Sequence, residues 1–413
     1  ISWVSSNKAK RRALGAPGGS VFNAADPAMF TDVVRKKFNI DGSGVTIGVM
    51  SDSFDCLGGA AEDVETGDLP GNIEVLKEYP FCEEGATDEG RAMMQLIHDI
   101  APGVKQLFYT AFVSPTDFAA GIQALAEAGA DIIVDDIGYF TMPMFQEGPI
   151  AQSVNEVKEK GVTYFSAAGN NGRLSYENSF VSGFDFISLD KAHDFGKAAG
   201  GASDFHQLIK LPADEENWIS LQWDDPAEIV GGRGAETDLD VFLLDASNNE
   251  IIASSQDDNI GHNPIEFISV NHSLATEDFY LYISHRAGPA PSRIKYIINS
   301  SNLASIELYS TDSSTIFGHP NASGAIAVGA ISYDQTPWFG VPINQALIEP
   351  FSSAGGTPII FDANGIRLKQ IDIPFKPEIV APDASDTTFF GTDTDIDSNE
   401  LPNFSGTSAA APH

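Results

Sequence analysis

The stretch "GSGVTIGVMSDSFD", residues 42–55, combines a glycine turn, an apolar run and an acidic end. The run from Val45 to Met50 is predicted to be a strand buried on both faces, because its residues are apolar or small without alternation. Such strands are typical of parallel sheets that helices cover. We therefore take this stretch as the first strand of a parallel sheet and follow the chain outward from it.

Strands and helices alternate along the next 120 residues or so. A helix is predicted from about Asp88 and must end before Pro102, and another begins at a cap supplied by Ser114 or Thr116. The apolar segments between the helices are "VKQLFYTAF" (104–112), "DIIVDDIGYF" (131–140) and "VTYFSAAGNNG" (162–172). The pattern predicts an α/β fold, a parallel sheet with helices on both faces, whose active site lies at the carboxyl ends of the strands.

The alternation stops after residue 172. Short alternating strands separated by turn residues follow, with examples in "DLDVFLLDA" (238–246) and "DFYLYIS" (278–284), and they predict an antiparallel β-sandwich. The α/β pattern returns with "GAIAVGAISYD" (324–334), so the sandwich is an insertion. The predicted domains are an N-terminal arm and entry segment (1–41), the two parts of an α/β catalytic domain (42–172 and 316–413), and the inserted sandwich (173–315).

Composition excludes several classes of function. The 413 residues are 42% hydrophobic, enough for at least one large core. The chain has 23 basic and 58 acidic residues, a formal charge of -35, which repels nucleic acid and anionic membranes. No run of about 18 apolar residues is present, so the sequence predicts no membrane span.

Two cysteines, Cys56 and Cys82, flank an acidic, glycine-rich loop. We predict a disulfide across the loop, with two unlinked buried thiols as the alternative. A disulfide would indicate an oxidising compartment.

Chemistry-bearing residues stand at predicted strand and helix ends. Asp52 follows the first strand, Glu89 begins the first helix, Asn170 ends the strand in "SAAGN", and Ser408 lies in "SGTSAAAPH". Gly406 and the small residues after Ser408 allow a sharp turn into a helix start, where backbone N–H groups can face a developing oxyanion. The Asn170 amide is a second candidate donor. The pattern indicates a serine nucleophile.

These segments resemble those of the subtilisin-like serine peptidases. "GTSAAAPH" is similar to the nucleophile segment of that family, and "SAAGN" is similar to its oxyanion segment. "VTIGVMSDSFD" resembles its aspartate strand, and "KPEIVAP" resembles the strand that leads toward the serine. The resemblance covers roughly residues 42–172 and 317–413. It implies Ser408 as nucleophile, Asp52 as acidic member and Asn170 as oxyanion donor. It also implies that a substrate peptide contacts the following residues: Asp136, Ile137, Gly138, Ala168 and Gly169.

The chain departs from this family at the base. The family has histidine, glycine and threonine at the start of this helix, whereas "DEGRAM" (88–93) places Glu89 and Arg91 at the first and third of these positions. His98, nine residues on, lies about half a turn away at about 100° per residue and faces another side. The related sedolisins use a glutamate base with an acidic partner one helical turn later, but in this chain that position is occupied by Met93. They also have an oxyanion aspartate where this chain has Asn170.

A carboxylate can accept a serine proton, and repulsion from Asp52 would raise the pKa of the pair. Because a carboxylate is a weaker base than imidazole, we expect activity to favour acidic pH. Each residue also has a plainer interpretation: Glu89 as acidic decoration of a helix start, Asp52 and Ser408 as caps, Asn170 as a turn residue.

No cofactor is required by this chemistry. Structural calcium is a further candidate, because "TDTDIDSNE" (392–400) alternates carboxylates at Asp393, Asp395 and Asp397, and Asp238 and Asp240 do so in the insert. Solvated acidic loops are the alternative for both.

The sequence thus predicts a secreted serine endopeptidase acting on peptides or proteins through Ser408, with Glu89 as base. The rival interpretation is an inactive relative with a structural or binding role. The chain begins at Ile1 and ends at His413, where the nucleophile helix of the family would continue, so we also expect a further C-terminal segment.

Overall fold

The computed structural model describes residues 19–413 except 186, 187, 189, 275, 276, 302 and 395. The first 18 residues of the predicted N-terminal arm therefore lie outside the described residues. The chain forms two compact units. Unit 1 is built from the chain up to 137 with 330–348 and 380–413, and unit 2 from 138–329 and 349–379. The predicted domain boundaries, which follow the sequence pattern, stay a prediction.

The first part of unit 1 alternates helices and strands as predicted. Its elements are α1 (Ala25–Ala28), α2 (Thr31–Phe38), β1 (Thr46–Ser51), α3 (Ala60–Thr66), β2 (Glu74–Lys77), α4 (Glu89–Ile100), β3 (Lys105–Thr110), α5 (Pro115–Glu127) and β4 (Ile132–Asp135). The strands pair in parallel in the order β2-β3-β1-β4. Met50 lies opposite both Tyr109 and Asp135, so the carboxyl ends of β1, β3 and β4 meet at one edge.

Helices cover both faces of these strands, and two glycines show how closely. A Cβ added at Gly90 of α4 would lie 2.4 Å from the ring of Phe108, whereas one at Gly121 of α5 would lie 2.5 Å from the ring of Tyr109. Phe108 and Tyr109 are consecutive on β3 and point to opposite faces. Helices α4 and α5 therefore pack on opposite sides of the sheet, and Gly90 brings the start of α4 close against it. Ser114 caps α5, with its hydroxyl accepting the Asp117 N–H.

Unit 2 contains a parallel pair and two antiparallel sheets. Helix α6 (Pro149–Glu159) leads to β5 (Thr163–Ala167), which pairs in parallel with a later strand, Ala325–Ser332. Between them the elements are β6 (Ser175–Ser179), β7 (Ser182–Asp185), β8 (Asp190–His193), α7 (Phe195–Ala198), β9 (Gln207–Lys210), β10 (Glu216–Trp223), β11 (Asp238–Asp245), β12 (Ile251–Ser255), β13 (Ile265–Asn271), β14 (Asp278–Ala287), β15 (Arg293–Asn299) and β16 (Ser305–Ile306). The strand Ala325–Ser332 is β17, and β18 (Ile359–Phe361) and β19 (Arg367–Asp372) form a hairpin.

The antiparallel strands form a sandwich around one core. One sheet has the order β13-β10-β15-β6, and the other is built around β12-β11-β14-β8-β7. Alternate residues of both sheets are buried in the same cluster, including Ile219, Leu221 and Trp223 of β10 and Leu239, Val241 and Leu243 of β11. This period of two is what burial of one strand face requires. The short helix α7 is the feature that the strand pattern did not predict.

Unit 1 is completed by the last segments of the chain. They comprise three short 3₁₀ turns between 333 and 345, β20 (Ile379–Asp383), β21 (Ser385–Asp386), β22 (Asn403–Phe404) and α8 (Thr407–Ala410). Strands β21 and β22 pair antiparallel directly before α8. Tyr333 and Ala384 pack with Ala24 and Ala28 in one buried cluster, which ties these segments to the beginning of the unit.

Candidate active site

Asp52 lies directly after β1 and is buried. Its Oδ1 accepts the Ser53 N–H at 2.5 Å, and its Oδ2 accepts the N–H and the hydroxyl of Thr87 at 2.6 and 2.8 Å. The Thr110 hydroxyl donates to the backbone carbonyl of Asp52 at 2.6 Å, which fixes the end of β1 to the end of β3. Three donors thus hold the Asp52 carboxylate in one position at the carboxyl edge of the sheet.

Asp88 orients the first turn of α4. Its backbone has a positive φ of 57°, a left-handed conformation that Asp tolerates. The buried carboxylate accepts the N–H groups of Cys56 and Leu57 at 2.8 and 3.1 Å and the Ser53 hydroxyl at 2.9 Å. The loop after β1 and the start of α4 are therefore joined by one carboxylate, which determines where Glu89 begins the helix.

Arg91 is the buried cation behind this arrangement. Its guanidinium pairs with Asp63 and, at 3.3 Å, with Asp88. It also donates to the carbonyls of Phe54 and Gly58 at 3.1 and 3.0 Å. The guanidinium stacks 3.6 Å from the ring centre of Phe389. The sequence showed Arg91 only as a departure from the family pattern, and the structure shows it as a structural ion pair.

The predicted disulfide is confirmed: Cys56 and Cys82 are bonded, with 26 residues of sequence separation. Cys56 is also the residue whose N–H donates to Asp88. The disulfide therefore anchors the loop that holds the start of α4.

Removing this disulfide should lower stability. We expect the Cys56→Ser, Cys82→Ser double variant to unfold with a free energy about 3 kcal/mol smaller than the parent, because a closed loop of this length no longer restricts the unfolded chain. Urea denaturation measures the difference. Reductant should lower the free energy of unfolding of the parent to that of the variant and leave the free energy of unfolding of the variant unchanged. Equal stability of parent and variant without reductant would contradict the prediction.

Ser408 lies in the first turn of α8. Gly406, with a φ of 113°, makes the sharp turn before it, a conformation that glycine adopts without strain. The Gly406 N–H donates to Asp383 at 2.9 Å, which fixes the turn to β20. The turn thus places the half-buried Ser408 at a helix start, as predicted.

Glu89, Asp52 and Ser408 come together in unit 1. The Glu89 carboxyl lies within hydrogen-bonding reach of the Ser408 hydroxyl and close enough to Asp52 to feel its charge. Burial raises the pKa of Glu89 to about 7, and the negative charge of Asp52 acts in the same direction, while hydrogen bonds with Asp136 and Ser408 oppose both. Glu89 is therefore poised to exchange a proton near neutral pH.

Asp136 is a third carboxyl at this place, and the sequence predicted for it only a contact with substrate. It follows β4, and both of its carboxyl oxygens are shielded from solvent. Burial raises its pKa well above the usual range, and the charge of Glu89 adds to this effect. Two successive acids, Asp135 and Asp136, after an apolar strand were the available sequence signal.

The remaining predicted site residues are distributed over both units. Ile137 is half-buried at the end of unit 1. Gly138, Ala168, Gly169 and Asn170 belong to unit 2, where the last three follow β5 and Asn170 is exposed. Gly169 has a φ of 95°, so the turn before Asn170 uses a conformation that favours glycine. Their contacts with substrate, and the oxyanion role of Asn170, stay predictions.

The two histidines of unit 1 have other surroundings. His98 lies near the end of α4, where burial lowers its pKa. His413 is half-buried, with one ring nitrogen 2.8 Å from the Pro382 carbonyl and the other 3.1 Å from the Asn23 amide. Burial lowers the pKa of His413 to about 4. Both therefore have surroundings that favour neutral imidazole.

The calcium candidates occupy separate loops. Asp397 accepts the Asn399 N–H at 3.1 Å, and Asp240 pairs with Arg286 at 3.2 Å. Asp238 accepts the Asn259 N–H at 3.3 Å, and Asp395 lies outside the described residues. Over residues 19–413, leaving aside the seven gaps, no group of three acidic, histidine or cysteine side chains is arranged to hold a metal ion. Calcium binding at Asp393, Asp395 and Asp397, or at Asp238 and Asp240, stays a prediction.

Among the described helices, none is both long and apolar enough to cross a bilayer.

Comparison with known proteins bears on fold and family. The model of the subtilase family matches residues 296–413. No curated protein matches the chain. The CspB protease of Clostridium perfringens has a similar structure, with a TM-score of 0.50 and 12% identity over 95% of this chain and 86% of that chain. Two further structures are similar to a lesser degree. MycP1 from the ESX-1 type VII secretion system has a TM-score of 0.32 and 12% identity over 96% of this chain and 74% of that chain. A lanthipeptide protease has a TM-score of 0.29 and 16% identity over 38% of this chain and 51% of that chain.

The predicted fold class is therefore confirmed: a subtilisin-like α/β fold with helices on both faces of a parallel sheet and an inserted antiparallel β-sandwich. The family match, which covers the segment around Ser408, supports a serine-type peptidase in general.

Proposed function

We propose that the protein is a serine endopeptidase in which Ser408 is the nucleophile and Glu89 the general base. One observation carries this proposal: the half-buried Glu89 lies with its carboxyl within hydrogen-bonding reach of the Ser408 hydroxyl, at the carboxyl edge of the sheet. A nucleophile and a base in hydrogen-bond contact are the minimum requirement for acyl transfer through serine.

In the acylation step the Ser408 oxygen attacks the peptide carbonyl carbon while its proton moves to Glu89. Collapse of the tetrahedral intermediate breaks the C–N bond, and Glu89 returns the proton to the leaving nitrogen. A water molecule then gives a proton to Glu89 and attacks the acyl ester, and Ser408 recovers its proton as it leaves. The negative charge of Asp52, fixed by its three donors, makes Glu89 a stronger base.

Substrate and oxyanion contacts complete the proposal. Backbone N–H groups at the start of α8, with the Asn170 amide, are the donors that we assign to the oxyanion. Residues 136–138 and the Ala168–Gly169 segment are assigned to the peptide backbone of the substrate. The Cys56–Cys82 disulfide supports an oxidising, extracellular location.

A fluorophosphonate probe tests the proposal directly, because it reacts with activated serine. We expect the parent protein to be labelled on the peptide that contains Ser408, as located by mass spectrometry, and the Ser408→Ala variant to remain unlabelled. A folded parent that stays unlabelled from about pH 4 to about pH 9 would sink the peptidase proposal and leave the inactive relative as the better account.

The pH dependence should follow Glu89. Because burial raises the pKa of this base to about 7, it is protonated and unable to accept the Ser408 proton at acidic pH. We expect kcat/KM and the labelling rate to increase as pH rises through about 7, in contrast to the acidic preference expected from carboxylate chemistry alone. A pH profile of peptide hydrolysis measures this. An activity maximum below about pH 5 would contradict it.

A further inference from the structure

We propose that Asp136 is the proton-carrying partner of Glu89: its carboxyl keeps one proton and donates a hydrogen bond through it to Glu89, so that Glu89 faces Ser408 as an anion. Asp136 is then a positioning residue that acts through the base. The inference rests on the proposed function of Glu89 and extends it to a residue for which the sequence predicted only a substrate contact.

The contact between the carboxyl groups of Asp136 and Glu89 requires a proton. Neither Asp136 oxygen receives a hydrogen bond from an N–H or O–H group of the described residues, and the Ser51 hydroxyl faces the carboxyl without reaching full hydrogen-bond geometry. The Glu89 carboxyl is the hydrogen-bonding neighbour of Asp136. Two ionised carboxylates offer only acceptors, so they can bond only when one carries a proton.

The surroundings assign that proton to Asp136 rather than to Asp52. Three donors fill the two oxygens of Asp52, whereas the buried Asp136 oxygens accept no full hydrogen bond among the residues that the structure describes and have only the Ser51 hydroxyl nearby as a donor. Burying a carboxylate with neither a donor nor a cation is costly, so the neutral form is favoured. Two ionised carboxylates sharing one site repel each other, which favours one proton per pair.

Among the residues that the structure describes, the charged groups that act on Asp136 come from three elements and are acidic. Glu89 faces it from α4, Asp52 from the end of β1, and Asp135 precedes it on β4. Arg91, the basic residue nearest in sequence on α4, directs its guanidinium to Asp63 and Asp88 instead. The known neighbours therefore disfavour a charge on Asp136.

This arrangement balances protons through the reaction. Before attack the pair holds one proton, on Asp136, and Glu89 is ionised. When Glu89 accepts the Ser408 proton, both carboxyls are neutral, and transfer of that proton to the leaving nitrogen restores the first state. Asp136 keeps its proton throughout, and its hydrogen bond favours the ionised form of Glu89 before attack.

The first test compares pH profiles of kcat/KM. In the parent, ionisation of Asp136 at high pH removes the hydrogen bond that it donates to Glu89, so we expect kcat/KM of the parent to decline there. Asp136→Asn replaces the protonated acid by a neutral donor of nearly the same shape that cannot ionise, so we expect it to retain activity at neutral pH without this decline. Asp136→Ala has no donor, so its rise should move to higher pH and its kcat/KM at pH 7 should fall about tenfold or more. Asp131→Asn, just before β4, is the matched control and should reproduce the parent profile. An Asp136→Asn profile identical to that of the parent would overturn the inference.

The second test needs no activity. In a Ser408→Ala background, which prevents self-digestion, we compare the Tm of the protein that retains Asp136 with the Tm of its Asp136→Asn variant from about pH 4 to about pH 8. The pKa of Asp136 is higher in the folded than in the unfolded protein. The stability that this carboxyl contributes is therefore fully present below the pKa of the unfolded state and is lost as pH rises through the folded-state pKa. We expect the Tm advantage of Asp136→Asn to widen by about 2 °C or more over this range.

The outcomes separate the two proposals. A constant Tm difference would overturn the proton-carrying role of Asp136, even when Ser408 is labelled and the peptidase proposal stands. A widening difference with an unlabelled Ser408 would support the protonated carboxyl pair while rejecting the peptidase.

Discussion

We expect Glu89→Gln to lower kcat/KM about 10,000-fold while the protein remains folded. Glutamine has nearly the same shape as glutamate, but its amide cannot accept the Ser408 proton, so the general-base contribution is lost. The substitution also removes a charge that Asp52 repels, so we expect it not to destabilise the folded state. Peptide hydrolysis and the rate of fluorophosphonate labelling measure the loss, and circular dichroism verifies the fold.

A matched control comes from the neighbouring loop. Glu84 is exposed and precedes Glu89 by five residues, so Glu84→Gln should leave kcat/KM at the parent value. Full activity of Glu89→Gln would place the base elsewhere. Loss of activity in both variants would point to a general effect of charge rather than to proton transfer at Glu89.

Arg91→Met should produce the largest loss of stability, about 3–5 kcal/mol in the free energy of unfolding. The Arg91 side chain is 3% exposed, and its partners Asp63 and Asp88 are 5% and 0% exposed. Methionine fills much of the space but leaves two buried carboxylates without a cation, which is the costly way to break a buried ion pair. Urea denaturation measures the change.

Two further variants define the cause. Arg91→Lys keeps a charge but cannot make all the contacts to Asp63, Asp88 and the two backbone carbonyls at once, so its loss should be intermediate. Arg233, 73% exposed and paired with Glu236, is the control, and Arg233→Met should change stability by about 0.5 kcal/mol or less. A loss below about 1 kcal/mol for Arg91→Met would show that Asp63 and Asp88 do not depend on this cation.

The sequence predicted most of the fold because its signals are local. The apolar run 45–50, the cap at Ser114 and the change to alternating strands after residue 172 each depend on neighbours along the chain. Short elements were missed, among them α3 (Ala60–Thr66) and β2 (Glu74–Lys77), in the segment predicted to be an acidic loop, and the turn Phe195–Ala198. Elements of four to seven residues give too weak a periodic signal.

The sequence also identified where Glu89 stands but not how it behaves. Carboxylate chemistry alone predicts an acidic preference, whereas burial, which raises the pKa of Glu89 to about 7, predicts activity that rises toward neutral pH. Burial is a property of packing: Gly90 lets α4 approach β3 closely enough that Glu89 is enclosed with Asp52 and Asp136.

By itself, the sequence determined the α/β pattern with its inserted sandwich, the cysteine pair, and a chain of candidate residues, Asp52, Glu89, Asn170 and Ser408, in a recognisable order. The contact of Asp136 with Glu89, and the pairing of Arg91 with Asp63 behind the start of α4, became evident in the folded molecule. Both contacts join separate segments of the chain. They depend on the register of β1 with β4 and on the close packing of α4, which sequence neighbours do not specify.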